Sequence, residues 1–370
     1  MKLEKYTNLI IKCQLTLLVG VLVLIEGLLV YNMIDLVSSA SLDSEVNHKE
    51  RVYSEDAQDM YPRYIDGVLV ELSKANFYPV SVMIDNHFDS WPNFGLSEAN
   101  VVYEIPVEGS ATRFLAIYTP EPYDYSNQIS KIGPVRSTRP YFVELAAEYK
   151  ALHAHSGGSP EGLSRIKELD VPDLEEITWW GPDYYWRVYS RSAPHNLFTS
   201  SDNLATGSVD WDLVSKVPTY ASWPFGENYD YNNSEKVYDK VNDILIEFSS
   251  SETYDAGYSY DSEKQKYLRL QGDEAHIDGL NSEQIAVSNV VIQFVPKAII
   301  LDREGRKKID ITGSGDVWIF RDGLIIKGVW EKPDFKSRTK FYDEDGKLIP
   351  LRPGNTWVEV VDTKEKVSLK

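Results

Sequence analysis

The sequence predicts an α+β protein: a mixed α/β first domain, then a mostly antiparallel β second domain, with one transmembrane helix ahead of both. Three observations carry that expectation. A long apolar run follows lysines at the N-terminus. Helical and strand periodicities then alternate up to about residue 232. Beyond that point strand follows strand, separated by glycine-containing turn signals. At 370 residues the chain has room for about two domains beside a membrane segment. Its net charge of -19 argues against sequence-independent nucleic-acid binding, which needs a cationic surface. The one cysteine, Cys13, rules out an intramolecular disulfide and a cysteine metal site.

The N-terminal segment, residues 1–40, reads as a cytoplasmic stub and anchor. Lys2, Lys5 and Lys12 precede an apolar run from Leu15 to about Val37, which reaches the ~20 residues needed to span a bilayer. Lysines before the run and acids after it place the N-terminus in the cytoplasm and the body outside. Ser38-Ser39-Ala40 has the small-x-small form of a cleavage site. It lies far from the start of the run, so an uncleaved anchor is expected. Residues 41–63 are polar and poor in aliphatics and read as a spacer.

The first domain, 64–232, opens with a buried strand, Pro79–Ile84, that runs into Asp85-Asn86-His87. A polar residue at a strand end can face a cleft, which makes Asp85 the candidate general base or metal ligand; a locally bonded turn is the plainer alternative. Asn100–Ile105 and Thr112–Tyr118 read as a hairpin, in which Glu104 and Arg113 are expected to pair. Then comes Lys131-Ile-Gly-Pro-Val-Arg136-Ser-Thr-Arg139-Pro140. Clustered arginines in an acidic protein suit carboxylate or phosphate oxygens, although they could equally brace a loop. Pro140 is placed to start a helix to about Lys150.

A short strand, Ala151–His155, sets His153 and His155 on one face, and with Asp85 they could form a two-histidine metal set. No HExxH-type spacing supports that, so no metal is assigned. Gly157-Gly158-Ser159 precedes a second helix, with Ser159 as its N-cap and Pro160 at N1. Amides at such a start can face an anion. An aromatic segment, Trp179 to Trp186, leads through Arg187 and Arg191 to His195-Asn196, a polar cluster able to close over the first. The second domain, 233–370, is a succession of strands with turns such as Arg321-Asp-Gly323 and Gly313-Ser-Gly315. It shows no catalytic constellation, and binding or bracing is expected of it.

With Met83-Ile-Asp-Asn86, the Lys131–Pro140 run, His155-Ser-Gly-Gly-Ser-Pro160 and Ala193-Pro-His-Asn-Leu197 in view, the chain resembles the YerB-type family. Those are bacterial envelope lipoproteins built from two domains of unknown function. Phe320-Arg-Asp-Gly323, Gly328-Val-Trp330, Phe341–Gly346 and Pro353–Trp357 extend the likeness over roughly residues 76–365. No lipidated cysteine is evident here, so an anchor helix would replace the lipid. A weaker likeness is to the LytR-CpsA-Psr phosphotransferases, which hold a lipid pyrophosphate with Asp and Arg side chains.

The expectation that follows is an anchored extracytoplasmic protein. Its first domain would bind a phosphate- or carboxylate-bearing envelope ligand, either a glycan or a lipid-linked phosphate. Lys131, Arg136 and Arg139 would hold the anion beside the Gly157, Gly158 and Ser159 amides. Arg113, His155, His195 and Asn196 would line the site, and Asp85 would serve any phosphotransfer or hydrolysis. The rival expectation is a non-catalytic scaffold or regulator of a cell-wall enzyme. The sequence names no cofactor.

Overall fold

Val80–Asp85 (β1) is buried at every position because both of its faces and both of its edges are covered. It is one of ten strands in a single mixed sheet. The others are Val101–Pro106 (β2), Thr112–Tyr118 (β3), Leu152–His155 (β4), Asp173–Glu175 (β5), Asn289–Phe294 (β6), Gly313–Arg321 (β7), Leu324–Lys332 (β8), Lys340–Asp343 (β9) and Thr356–Val361 (β10). Their spatial order is β9-β8-β7-β6-β10-β2-β3-β1-β4-β5. This computed structural model describes residues 59–122, 128–216, 219–227 and 238–370.

The sheet joins the two halves of the sequence. The late strand β10 lies parallel to β6 on one side and parallel to β2 on the other, with Val358 beside Tyr103 and Glu359 beside Glu104. Residues 58–370 accordingly form one compact unit. The boundary expected at 232/233 falls outside the described residues.

Strand alternation sorts the core into two layers. Val80, Val82, Ile84, Val102, Phe114, Ala116 and Trp357 share one cluster with Ile244, Ile246, Tyr258 and Tyr267. Those last four belong to a second, antiparallel sheet that includes Asp243–Ile246, Ala256–Asp261, Lys266–Gln271 and Val367–Leu369. On the opposite face Met83, Tyr103, Leu115 and Val358 pack against Phe142 and Leu145 of the helix Pro140–Glu148 (α1). Each such fully buried aliphatic or aromatic side chain contributes about 1.5–3 kcal/mol. Pro160–Leu169 (α2) lies outside α1, with Ile166 against Val143 and Ala146. Being covered on two sides, α1 is buried along nearly its whole length.

Several expectations shift. The hairpin register sets Glu104 opposite Phe114 and Ile105 opposite Arg113, so Glu104 and Arg113 leave opposite faces of the sheet. They do not pair. Gly313-Ser-Gly315, expected as a turn, opens β7, where a Cβ at Gly315 would lie 2.6 Å from the Phe294 carbonyl oxygen. The folded body begins inside the expected spacer: Met60–Pro62 pairs with Leu69–Glu71, and Arg63 binds Asp66. No helix among the described residues is long and apolar enough to cross a membrane, and the expected anchor, Leu15–Val37, lies outside the described residues.

Candidate functional site

The site is assembled where β1 ends. β4 pairs with β1 only from Val80 to Val82. Beyond that the arginine loop takes its place: Asp85 N–H donates to Pro134 O (2.9 Å) and Arg136 N–H to Met83 O (2.9 Å). The Pro-Val-Arg segment is therefore held as an extended edge, and Val135 is buried beneath it. On the other side of β1, the β1–β3 register sets Asp85 directly across from Arg113. Cross-strand partners share a face, so both project toward the α1 side of the sheet. Arg139 sits at the N-cap of α1, completing the group.

Three guanidiniums thus converge on a cleft of about 570 Å³ whose lining includes Asp85, Glu108, Arg113, Arg136, Arg139 and Ser159. Arg139 Nε binds Glu108 Oε1 at 2.5 Å, and its Nη1 donates to Thr138 O. Arg136 Nε stands 3.4 Å from Asp85 Oδ2. Arg113 is 5 % exposed and donates through Nη1 to Ser137 O, but its buried Nε has no hydrogen-bond partner among the described residues. Burial, reinforced by Arg139 and Arg136 and opposed by Asp85 and Glu108, pushes the Arg113 guanidinium down to about 10.

Two histidines stand at Asp85: His87 lines the cleft, and His195 reaches the carboxylate from beside it. His195 Nδ1 lies 2.6 Å from Asp85 Oδ2, across 110 positions of sequence, and its ring stacks on His87 with centroids 4.9 Å apart. Asp85 Oδ1 also accepts the His87 N–H, closing the local turn. The strand-end aspartate therefore both closes the turn and faces the cleft. His87, Asp89 and His195 place ligand atoms within 4.8 Å of one another, which makes them the described residues best placed to hold a metal ion.

Other expected residues lie elsewhere. Lys131 points away, its Nζ sitting over the rings of Phe94 (3.9 Å) and Phe198 (4.1 Å). His155 is fully buried between Gly157 O and Asp173 Oδ1, each 2.9 Å away. His153 is bonded to Ser81 and Thr138, and burial holds its imidazole well below the ordinary value. Neither histidine joins Asp85, so the two-histidine set with that carboxylate is not assembled. Asn196 serves Arg187 and Val188 O. Gly157 adopts φ +64° and gives its carbonyl to Thr138 N–H. Gly158 and Ser159 do line the cleft. However, Ser159 N–H already binds Thr138 O, and its Oγ accepts from Gly162 N–H as the cap of α2. The helix start braces the arginine loop, and the donors that face the cleft are the guanidiniums. Glu108, His87 and, from the second half, Arg306 were not singled out from the sequence. Glu108 could have been found as the acid in the loop before Arg113; nothing near Arg306 in the sequence marks it.

Asn86, one residue on from Asp85, faces the other way. Its Nδ2 donates to Glu104 Oε1 (3.1 Å) and Thr112 Oγ1 (2.8 Å). Glu104 in turn binds Arg269, which reaches in from the second sheet. The Asp85-Asn86 dipeptide therefore places one polar side chain in the cleft and the next in a buried network between the sheets.

Comparison with known proteins covers this whole unit. Residues 67–212 match the family described as "Protein of unknown function (DUF3048) N-terminal domain", and residues 244–358 match its C-terminal domain. YerB of Bacillus subtilis (strain 168), whose name calls it a lipoprotein, is 28% identical over 312 residues, 82% of this chain and 87% of that protein. The crystal structure of YerB from Bacillus subtilis superposes with a TM-score of 0.71 at 26% identity, covering 83% of this chain and 98% of that one. The crystallised relative is thus almost wholly the counterpart of the body described above, which stands folded there by itself. The chain belongs to the YerB-type family, with the paired N- and C-terminal DUF3048 domains that its two halves match.

Proposed function

We propose that this protein is held at the outer face of a bacterial membrane and binds a phosphate- or carboxylate-bearing ligand of the cell envelope in the Arg113–Arg136–Arg139 cleft. The lysine-flanked apolar run and the lipoprotein name of the relative support the location. The single observation that carries the binding reading is the convergence of the Arg113, Arg136 and Arg139 guanidiniums, with Arg306 beside them, on a cleft that offers them only the carboxylates of Asp85, Glu108 and Glu304. Of these cations, Arg113 is nearly buried with its Nε unpartnered. Like charges brought together under burial cost free energy, and an anion in the cleft would relieve that cost while supplying the missing acceptor. The His195–Asp85 contact is the feature a turnover step would use, with Asp85 fixing the tautomer and His195 Nε2 left to hold or move a proton.

The test is calorimetric titration of inorganic phosphate and pyrophosphate into the soluble body. Removing a charge-assisted contact is expected to lose about 1.5–3 kcal/mol, roughly ten- to over a hundred-fold in affinity. Arg139→Lys should be nearly as harmful as Arg139→Ala, because a point charge cannot reproduce the guanidinium fork. Unchanged affinity in a folded Arg136→Ala/Arg139→Ala variant rejects the site. A second reading, the scaffold, is favoured by a separate observation: Ile177, Trp179 and Tyr189 are 68%, 86% and 101% exposed on the segment before His195. Absence of any anion binding would give that reading precedence.

A further inference from the structure

The anion cleft continues past Arg139. Arg139, Ser159 and Arg306 also line a second groove of about 600 Å³, so the two hollows share a wall. Their linings differ in kind. The first presents guanidiniums and carboxylates, whereas the second is mainly apolar, with Tyr141, Leu301, Ile309, Ile311 and Phe335 along it. Six of the charges that face the second groove pair off, Glu144 with Arg165 (3.3 Å), Asp310 with Lys308 (3.2 Å) and Glu161 with Arg306 (3.9 Å), while Lys307 and Arg139 stand on its rim. The Arg165 guanidinium carbon also lies over the Phe335 ring, 4.5 Å from its centroid. The outer wall is the hairpin that pairs Ile299 with Lys308 and Ile300 with Lys307. Its Ile299, Ile300 and Leu301 are 56%, 68% and 51% exposed, an uncommon run of open aliphatics in a protein of net charge -19.

We propose that this groove takes the apolar chain of the same anion whose charged group sits on Arg113, Arg136 and Arg139: the ligand is an amphiphile, a phosphate or carboxylate bearing a hydrocarbon chain. The inference rests on the anion reading and deepens it. A small hydrophilic anion gains nothing from Ile309, Ile311 and Phe335, and a neutral lipid gains nothing from the three guanidiniums. Only a molecule with both parts uses both hollows, and their shared wall at Arg139 fixes where head and chain meet.

The test is a chain-length series, with butyl, hexyl and octyl phosphate titrated below their aggregation concentrations into the soluble body beside inorganic phosphate. Affinity should climb with length, approaching about fourfold for each methylene fully buried. Leu301→Ser/Phe335→Ser alters two side chains already in contact with solvent, so the fold should survive, and it should flatten the dependence on length. Arg136→Ala/Arg139→Ala should lower the whole series in parallel. A flat series with measurable phosphate binding overturns the amphiphile and leaves the anion site standing. Absence of binding by every member overturns the anion site, and the amphiphile with it. A slope that survives intact in the groove variant places the chain elsewhere and overturns the assignment of the groove.

Discussion

Replacing Arg269 with methionine should destabilise the protein more than any change at the cleft, and the structure sets the size of the loss. The Arg269 side chain is completely buried between the two sheets. Its five N–H donors all find acceptors: Nε on His276 Nδ1 (3.0 Å), Nη1 on Tyr258 OH (2.8 Å) and Glu359 Oε1 (3.3 Å), Nη2 on Glu104 Oε2 (2.5 Å) and Gln271 Oε1 (3.2 Å). One guanidinium faces two carboxyl groups, and burial together with the neighbouring Glu104 pushes Glu359 well above the ordinary carboxylate range. Burial thus favours the neutral form of Glu359, which leaves Glu104 as the principal carboxylate facing Arg269. Arg269→Met strips Glu104 Oε2 of its partner, and orphaning one member of a buried pair costs about 3–5 kcal/mol. For a unit of this size each kcal/mol shifts the melting temperature by roughly 2 °C, so a fall of about 6–10 °C is expected by calorimetry. Adding Glu104→Gln should recover part of the loss, because an amide tolerates a missing cation better than a carboxylate does; the double-mutant cycle should show coupling on the order of 1–3 kcal/mol. Arg269→Met within about 1 kcal/mol of the parent, or strict additivity with Glu104→Gln, would refute the idea that this network clamps the sheets together.

Two further outcomes are expected. Glu144, buried beside Arg165, has its carboxyl raised by burial from 4.5 to about 7, so the folded protein binds that proton more tightly than the unfolded chain does. Stability from this group is full below about pH 4.5 and falls as pH rises through about 7, by up to ~3 kcal/mol; urea denaturation at about pH 5 and pH 8 should show Glu144→Gln gaining on the parent as pH rises, and a pH-independent difference would reject the assignment. The proposed location predicts that protease added to intact spheroplasts degrades the body, and a body protected until lysis would overturn it.

Much of the local structure was legible from residue order alone. Ser159-Pro160 marks the start of α2 because its cap chemistry is local: the Ser159 hydroxyl reaches Gly162 N–H three residues away. The β1 strand and the α1 start at Pro140 could be read for the same reason. What the sequence could not show is the long-range arrangement. Nothing local tells that β10 inserts between β6 and β2 and fuses the two halves into one sheet. The hairpin partner of Arg113 could not be read either, since a one-residue register difference sends Glu104 to Arg269 on the other face. Proximity in sequence groups Lys131 and His155 with the cleft. Their places are decided by burial, over aromatic rings in one case and between Gly157 and Asp173 in the other.

The register explains why the cleft and the buried clamp share one dipeptide. Successive residues of a strand leave opposite faces, and Asp85-Asn86 continues that alternation past the end of β1. Asp85 meets Arg113, Arg136 and His195 on the α1 side. Asn86 meets Glu104, Thr112 and Gln271 on the side of the second sheet. A movement of the β1 end that draws Asp85 toward or away from the arginines must also strain the bonds of Asn86, which are buried and have no water to replace them. The clamp between the sheets thus fixes the position of Asp85 in the cleft. The three guanidiniums, set by β3, the arginine loop and the N-cap of α1, are held against a carboxylate that cannot retreat, which is the preorganisation that the proposed anion binding requires.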